Sequence, residues 1–222
     1  MNSISSKLVA ISTQKPLWVY AILLLLTLGV GSQIPRITID TDPENMLDAD
    51  HPARVFHNQT KADFGMYDAI VVGVVDDENS QGVYNQSSLT DIFDLTKSIL
   101  SIEGVVDADL MSISTVDNIS QAGPGTIRFE WMMPNPPADE AAAAQIQTNI
   151  ERLPLLYDTL VSQNGKAAAI YVPILDKNES YRIAEEIRAA INQFDGTEQW
   201  YITGLPVAED QFGFEMFVQM GI

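Results

Sequence analysis

Residues 16–34 read PLWVYAILLLLTLGVGSQI and carry no charge. Wound as a helix at ~1.5 Å per residue, this run is roughly 28 Å long, close to the ~30 Å hydrocarbon thickness of a bilayer. Trp18 and Tyr20 stand near its start, where an interfacial aromatic belt places such rings. Lys7 and Lys15 precede it. The pattern predicts a transmembrane helix over residues 16–35, preceded by a cytoplasmic or interfacial amphipathic segment over 1–15 with Ile4, Leu8 and Ile11 at helical spacing. A cleaved secretory signal is the competing reading, with Leu17–Leu28 as its apolar region and Gly29-Val30-Gly31 as small residues near the cut. A helix buried in a soluble core is the third.

Charge divides the chain at the same place. Residues 1–36 hold only Lys7, Lys15 and Arg36, whereas all thirty acidic residues fall at or after Asp40, against nine remaining basic ones. Basic flanks stay on the cytoplasmic side, so the expected location is a plasma (inner) membrane with residues 36–205 outside the cytoplasm. A net charge of −18 repels phosphate, so nucleic acid is excluded as a partner. The absence of cysteine rules out disulfides, thiolate zinc sites, iron–sulfur clusters and a Cys nucleophile.

Past Asp40 the sequence alternates between strand and helix signals. Residues 36–63 look irregular and polar, interrupted by Pro43 and Pro52. The Val-rich run DAIVVGVV (68–75) predicts a strand buried on both faces. A helix follows with Leu89, Ile92, Phe93, Thr96, Ile99 and Leu100 on one face, Ser88 and Asp91 as a capping box, and Gly104 as its stop. VVDADLMSI (105–113) reads as a second strand. TIRFEWM (126–132) alternates strictly, which predicts a half-buried antiparallel strand with Ile127, Phe129 and Trp131 inward. Residues 139–153 predict a helix, 157–161 and 166–175 strands around a turn, 178–194 an amphipathic helix, and 199–203 a last strand broken by Gly204. The order is β-α-β-β-α-β, a ferredoxin-like (split βαβ) pattern, with residues 114–165 as an insertion. The expected fold class is thus α+β: one N-terminal transmembrane helix, then a domain of this type. Phe212, Met216, Phe217 and Met220 form an apolar stripe over 206–222, expected to begin a helix returning to the membrane.

The sequence carries few marks of reactive chemistry. Asp40-Thr41-Asp42-Pro43-Glu44 starts like a calcium loop, but the sixth position is Asn45 and the twelfth His51 where glycine and glutamate are needed. A loop counted from Asp77 has Gly82 in place but Ser88 at the twelfth. His51 and His57 lack ligand spacing and read as surface residues. Ser12-Thr13-Gln14-Lys15 matches S-x-x-K without its companion motifs. No catalytic residue, cofactor or metal is assigned, and no enzyme activity is expected.

The segments TDPENMLDADHPA and FGMYDAIVVGV, then LPLLYDTLVSQNGKAAAIYVPI (153–174) and ITGLPVAEDQF (202–212), occur in order along the chain. Together they resemble the first exported domain of the resistance–nodulation–division (RND) superfamily, most of all its exporters and its mycobacterial-membrane-protein-large branch. The resemblance implies the N-terminal part of a proton-driven exporter whose porter domain gates or passes substrate. Its coupling carboxylates would lie in spans beyond this chain. The implied partners are the lipid bilayer, the remainder of the same transporter chain, a homo-oligomer, and a lipid or hydrophobic small-molecule substrate. Asp42, Pro43, Phe64, Gly65, Asp68 and Pro206 are the residues expected to couple domain and membrane, with residues 206–222 starting back toward the bilayer. A membrane-anchored binding or sensory module without transport is the alternative. About five further spans close together after Ile222 in the parent reading frame, one of them with an acidic residue, would favour transport; a stop codon soon after Ile222 would favour the module.

Overall fold

The computed structural model describes residues 12–33 and 43–220. The chain divides into two compact units, Met1–Asp40 and Thr41–Ile222. The amphipathic pattern of Ile4, Leu8 and Ile11, and the residue Asp42, lie outside the described residues.

In the first unit the helix α1 runs from Pro16 to Gly31. Pro16 opens it, where the missing N–H costs nothing. Ser32 closes it: its N–H bonds to the Leu28 carbonyl at 2.9 Å, and its hydroxyl to the Gly29 carbonyl at 2.8 Å. The predicted transmembrane span is therefore corrected. Sixteen residues rise only about 24 Å, and among the described residues no helix is long and apolar enough to cross a membrane. The Gly-Val-Gly-Ser end of the run stops the helix before the bilayer thickness is reached. With the span goes the basis for the orientation read from Lys15 and its neighbours. What stands is a helix apolar on every side: Leu17, Trp18, Tyr20, Leu25 and Val30 are each more than two-thirds exposed.

The second unit is α+β. Its elements are a 3-10 turn (Pro43–Met46), α2 (Pro52–Phe64), β1 (Asp68–Val75), α3 (Gln86–Ile99), β2 (Asp117–Gly123), β3 (Thr126–Trp131), α4 (Glu140–Glu151), β4 (Ala167–Ile174), α5 (Ser180–Ile191), β5 (Gln199–Thr203) and α6 (Leu205–Met220). The main sheet has the order β4-β1-β5, with both neighbours antiparallel to β1. Ile70, Val72 and Val74 are fully buried on one face of β1, joined by Ile170 and Val172 of β4. Leu89, Ile92, Leu95 and Ile99 of α3 and Ile183, Ala184 and Ile187 of α5 belong to the same core. The opposite face is only half-buried, so β1 is sealed on one side rather than both.

The four-stranded split-βαβ sheet is also corrected. Residues 105–113 are not a strand. A 3-10 turn at Asp107–Asp109 bends them, and the Asp107 carboxylate accepts from the Ala108 N–H at 2.9 Å. Acidic side chains that bond their own main chain favour a turn over a ladder. Only Val105 and Met111 keep single bridges to β4, at Ile174 and Tyr171. Residues 157–161 likewise make isolated bridges instead of a strand. The stretch read as irregular before residue 64 holds the helix α2, capped by His51, whose Nδ1 accepts from the Ala53 N–H at 3.3 Å. The cap of α3 is Asn85 rather than Ser88: its side-chain oxygen accepts from the Ser88 N–H at 2.9 Å.

β2 and β3 form a separate two-stranded hairpin. The sequence signals β3 but not its partner. Nor is β3 half-buried: all six of its residues are exposed, and Ile127, Phe129 and Trp131 turn their apolar face to solvent. Alternation specifies two faces but not which one meets the core. Here Asn118, on the opposite face, is the buried residue of the hairpin. At the other end, α6 forms over the predicted C-terminal segment, with Phe212 exposed; the side chains of Met216, Phe217 and Met220 lie outside the described residues.

Candidate functional site

Four of the six residues expected to couple the domain to its surroundings meet at one end of the main sheet. α2 enters there and α6 leaves there. Phe64 is the last residue of α2 and is 77% exposed. Gly65 ends the helix at φ +59°, a left-handed conformation that costs other L-residues roughly 1–2 kcal/mol. Its turn sends the Met66 N–H to the Lys61 carbonyl at 2.9 Å and swings the chain into β1. Asp68 opens β1, and both its carboxylate oxygens lie 3.0 Å from Lys61 Nζ. This part-buried pair ties the last turn of α2 to the first residue of the strand.

Pro206 sits at the start of α6 and is buried. The Ser180 hydroxyl, at the start of α5, lies between the Pro206 carbonyl (3.2 Å) and the Asp210 carboxylate. The register pairs Thr203 with Val71, so Gly204 comes against the first residues of β1. Gly204 has φ +126°, and a Cβ there would lie 2.5 Å from the Ala69 carbonyl oxygen. Pro43 is not part of this cluster. It begins the 3-10 turn Pro43–Met46, which Arg54 of α2 holds through Asn45 and through the Leu47 carbonyl at 2.8 Å.

The same end of the sheet carries exposed apolar side chains. Met66 and Tyr67 precede β1, Leu175 follows β4, and Leu205 follows Gly204; with Phe64 they form a collar around the two chain connections. Exposed apolar side chains gathered at one end of a sheet mark a candidate contact surface.

A second constellation was invisible in the sequence. Glu198, just before β5, is 8% exposed, and its Oε1 has no hydrogen-bond partner among the described residues. Asp91 of α3 lies within hydrogen-bonding reach of it. Burial first, then the bond to Glu198 and the charges of Glu198 and Asp94, push the Asp91 carboxyl up to about 7. Asp91 therefore keeps its proton into the neutral range. Gly196 sits over Glu198: a Cβ there would lie 2.1 Å from Glu198 Oε2. The Phe194 and Trp200 rings stack nearby in sequence at 5.8 Å. Sequence reasoning assigned Asp91 to a helix cap, and the burial of a Glu in the polar loop before β5 leaves no periodic trace.

Asp91 fixes a pH dependence. Its folded pKa is raised above the unfolded value, so the folded state holds the extra proton between about pH 4 and pH 7. That stabilisation is complete at the acid end and is lost as pH rises through 7. Solvent screening at the half-exposed Asp91 reduces it to about 1 kcal/mol. Urea denaturation at pH 5 and pH 8 is expected to show this loss in the wild type and a flat profile in Asp91→Asn. An equal slope in both proteins would contradict the raised Asp91 carboxyl.

Among the described residues no three metal-ligating side chains converge. The sequence matches no protein-family model, and no curated protein matches it.

Proposed function

We propose that this chain is the porter-like part of an RND-type exporter, with a mechanical rather than catalytic role. The observation that carries the reading is the apolar collar at the sheet end, where both chain connections attach. A domain joined to its surroundings at one end, through a left-handed turn at Gly65 and a main-chain contact at Gly204, moves as a unit about that end. The ordered resemblance of four segments to RND porter domains supplies the class of activity. In this reading the collar packs against the remainder of the transporter. The substrate is a lipid or hydrophobic small molecule.

The test uses cells producing the whole protein and a lipophilic fluorescent dye. Phe64 is exposed enough that Phe64→Ala should shift stability by less than about 0.5 kcal/mol. The same variant should slow dye efflux at least several-fold, because it removes a contact made outside this domain. Unchanged efflux in Phe64→Ala and in Leu205→Ala would remove the collar from the mechanism.

A sensory module without transport is the second reading, and the Asp91–Glu198 pair favours it. A carboxyl such as Asp91, which changes charge near neutral pH, gives such a module a proton to respond to.

A further inference from the structure

We infer that the free edge of β3 is a self-association surface, on which two copies of this chain pair antiparallel about Phe129. The Met132 N–H bonds to the Val116 carbonyl at 2.9 Å, and the register continues as Glu130 opposite Asn118 and Arg128 opposite Ser120. Antiparallel ladders alternate, so the main-chain groups of residues 128 and 130 point toward β2, while those of Ile127, Phe129 and Trp131 point outward. The Ile119 carbonyl confirms the phase on the other strand: it faces away from β3 and accepts from Arg152 at 3.4 Å. Arg152 thus covers the outer edge of β2. Among the described residues, none hydrogen-bonds to the outward main chain of Ile127, Phe129 or Trp131. An exposed edge of this kind is a template for another strand.

The sequence of β3 selects the occupant. Ile127-Arg128-Phe129-Glu130-Trp131 is self-complementary when read against itself in reverse. With the two-fold axis at Phe129, Ile127 meets the partner's Trp131 and Phe129 meets the partner's Phe129. All three are outward-pointing positions, so the register closes up to about six main-chain hydrogen bonds. Arg128 then faces the partner's Glu130 twice over, at the positions where opposed side chains approach most closely. Centring the pair on residue 128 or 130 would instead oppose Arg to Arg or Glu to Glu. The charges therefore specify one register and reject its neighbours. The apolar residues lie on one face, where the paired sheet brings Ile127, Phe129 and Trp131 of both copies into cross-strand contact. This is an isologous contact, as two-fold dimers require. It does not depend on the exporter reading.

One short edge is small beside the roughly 1,600 Å² of a standard interface, so the dimer is weak, with Kd on the order of 10 µM. Sedimentation of the full chain in a mild non-ionic detergent is expected to show a concentration-dependent dimer. Arg128→Glu opposes Glu to Glu and should raise Kd at least about tenfold; the double variant Arg128→Glu/Glu130→Arg restores both pairs and should return Kd to within about threefold of the wild type. The restored double variant also distinguishes lost pairing from a hairpin that fails to fold. A wild-type chain that stays monomeric at about 100 µM would overturn the inference. So would a dimer indifferent to Arg128→Glu, which would place the contact elsewhere, or a double variant that remains dissociated.

Discussion

Replacing Gly204 with valine should destabilise the second unit by about 3 kcal/mol or more. Two independent costs meet at this position. The residue has φ +126°, a region that a β-branched side chain does not tolerate. The added Cβ would lie 2.5 Å from the Ala69 carbonyl oxygen and 3.2 Å from the Ile70 Cα. Both atoms belong to β1, the central strand, whose neighbours on either side fix it in place. The clash cannot be relieved by a rotamer change, so either the β1–β5 pairing near Val71–Thr203 opens or α6 shifts. For a unit of this size the loss corresponds to a fall of roughly 6–12 °C in melting temperature. A thermal melt of the variant checks it, and a shift below about 2 °C would show that the close approach is not maintained in solution. Gly65→Ala offers a comparison, since no atom lies within 4 Å of its added Cβ. It should lose only the left-handed penalty of about 1 kcal/mol.

Asn85→Ala carries the second large effect, also about 3 kcal/mol. Asn85 is 4% exposed and does several things at once. Its oxygen caps α3 through the Ser88 N–H. Its amide donates to the Gly82 carbonyl at 2.7 Å and to the Asp76 carboxylate at 3.0 Å. Asp76 itself is 2% exposed, and the Ser88 hydroxyl lies 3.2 Å from the same oxygen that Asn85 binds. Losing a cap costs about 1 kcal/mol. Leaving a buried carboxylate short of a donor adds about 1–3 kcal/mol. Asn85→Asp should also be costly, because it keeps the capping oxygen but places a second carboxylate beside Asp76. Urea denaturation followed by circular dichroism measures both; a loss under 1 kcal/mol in Asn85→Ala would mean that water replaces the network.

These two positions also mark what a sequence can and cannot convey. The strand β1 is legible because DAIVVGVV is apolar, Val-rich and bounded by turn residues, and β1 forms over those same residues. α5 is legible because Ile183, Ala184 and Ile187 recur at helical spacing and reach the core. Gly204 could be read as a strand breaker, but its approach to Ala69, 135 residues earlier in the sequence, depends on the β1–β5 register. Periodicity reports what alternates, not where the core is. It gave β3 two faces and assigned the apolar one inward, whereas the hairpin projects that face to solvent. It read 105–113 as a strand because it did not count Asp107 as a turn former. The apolar run after Pro16 shows the same limit in length: composition favoured a span, and local Gly and Ser ended the helix after sixteen residues.

The candidate site divides along the same line. Phe64, Gly65, Asp68 and Pro206 were singled out from segment resemblance, and the fold brings them to one end of the sheet. Lys61 was missed because it is seven residues from Asp68, a spacing that suits neither helix nor strand until the Gly65 turn folds it back. Glu198 was missed because nothing in a polar loop signals that one carboxylate will be covered.

Dye efflux from cells that produce the whole protein tests the exporter account most directly. Wild-type cells should clear a lipophilic dye several-fold faster than cells lacking the gene, and Phe64→Ala cells should resemble the deletion while their protein remains folded and abundant. Equal retention of dye in all three would contradict the account.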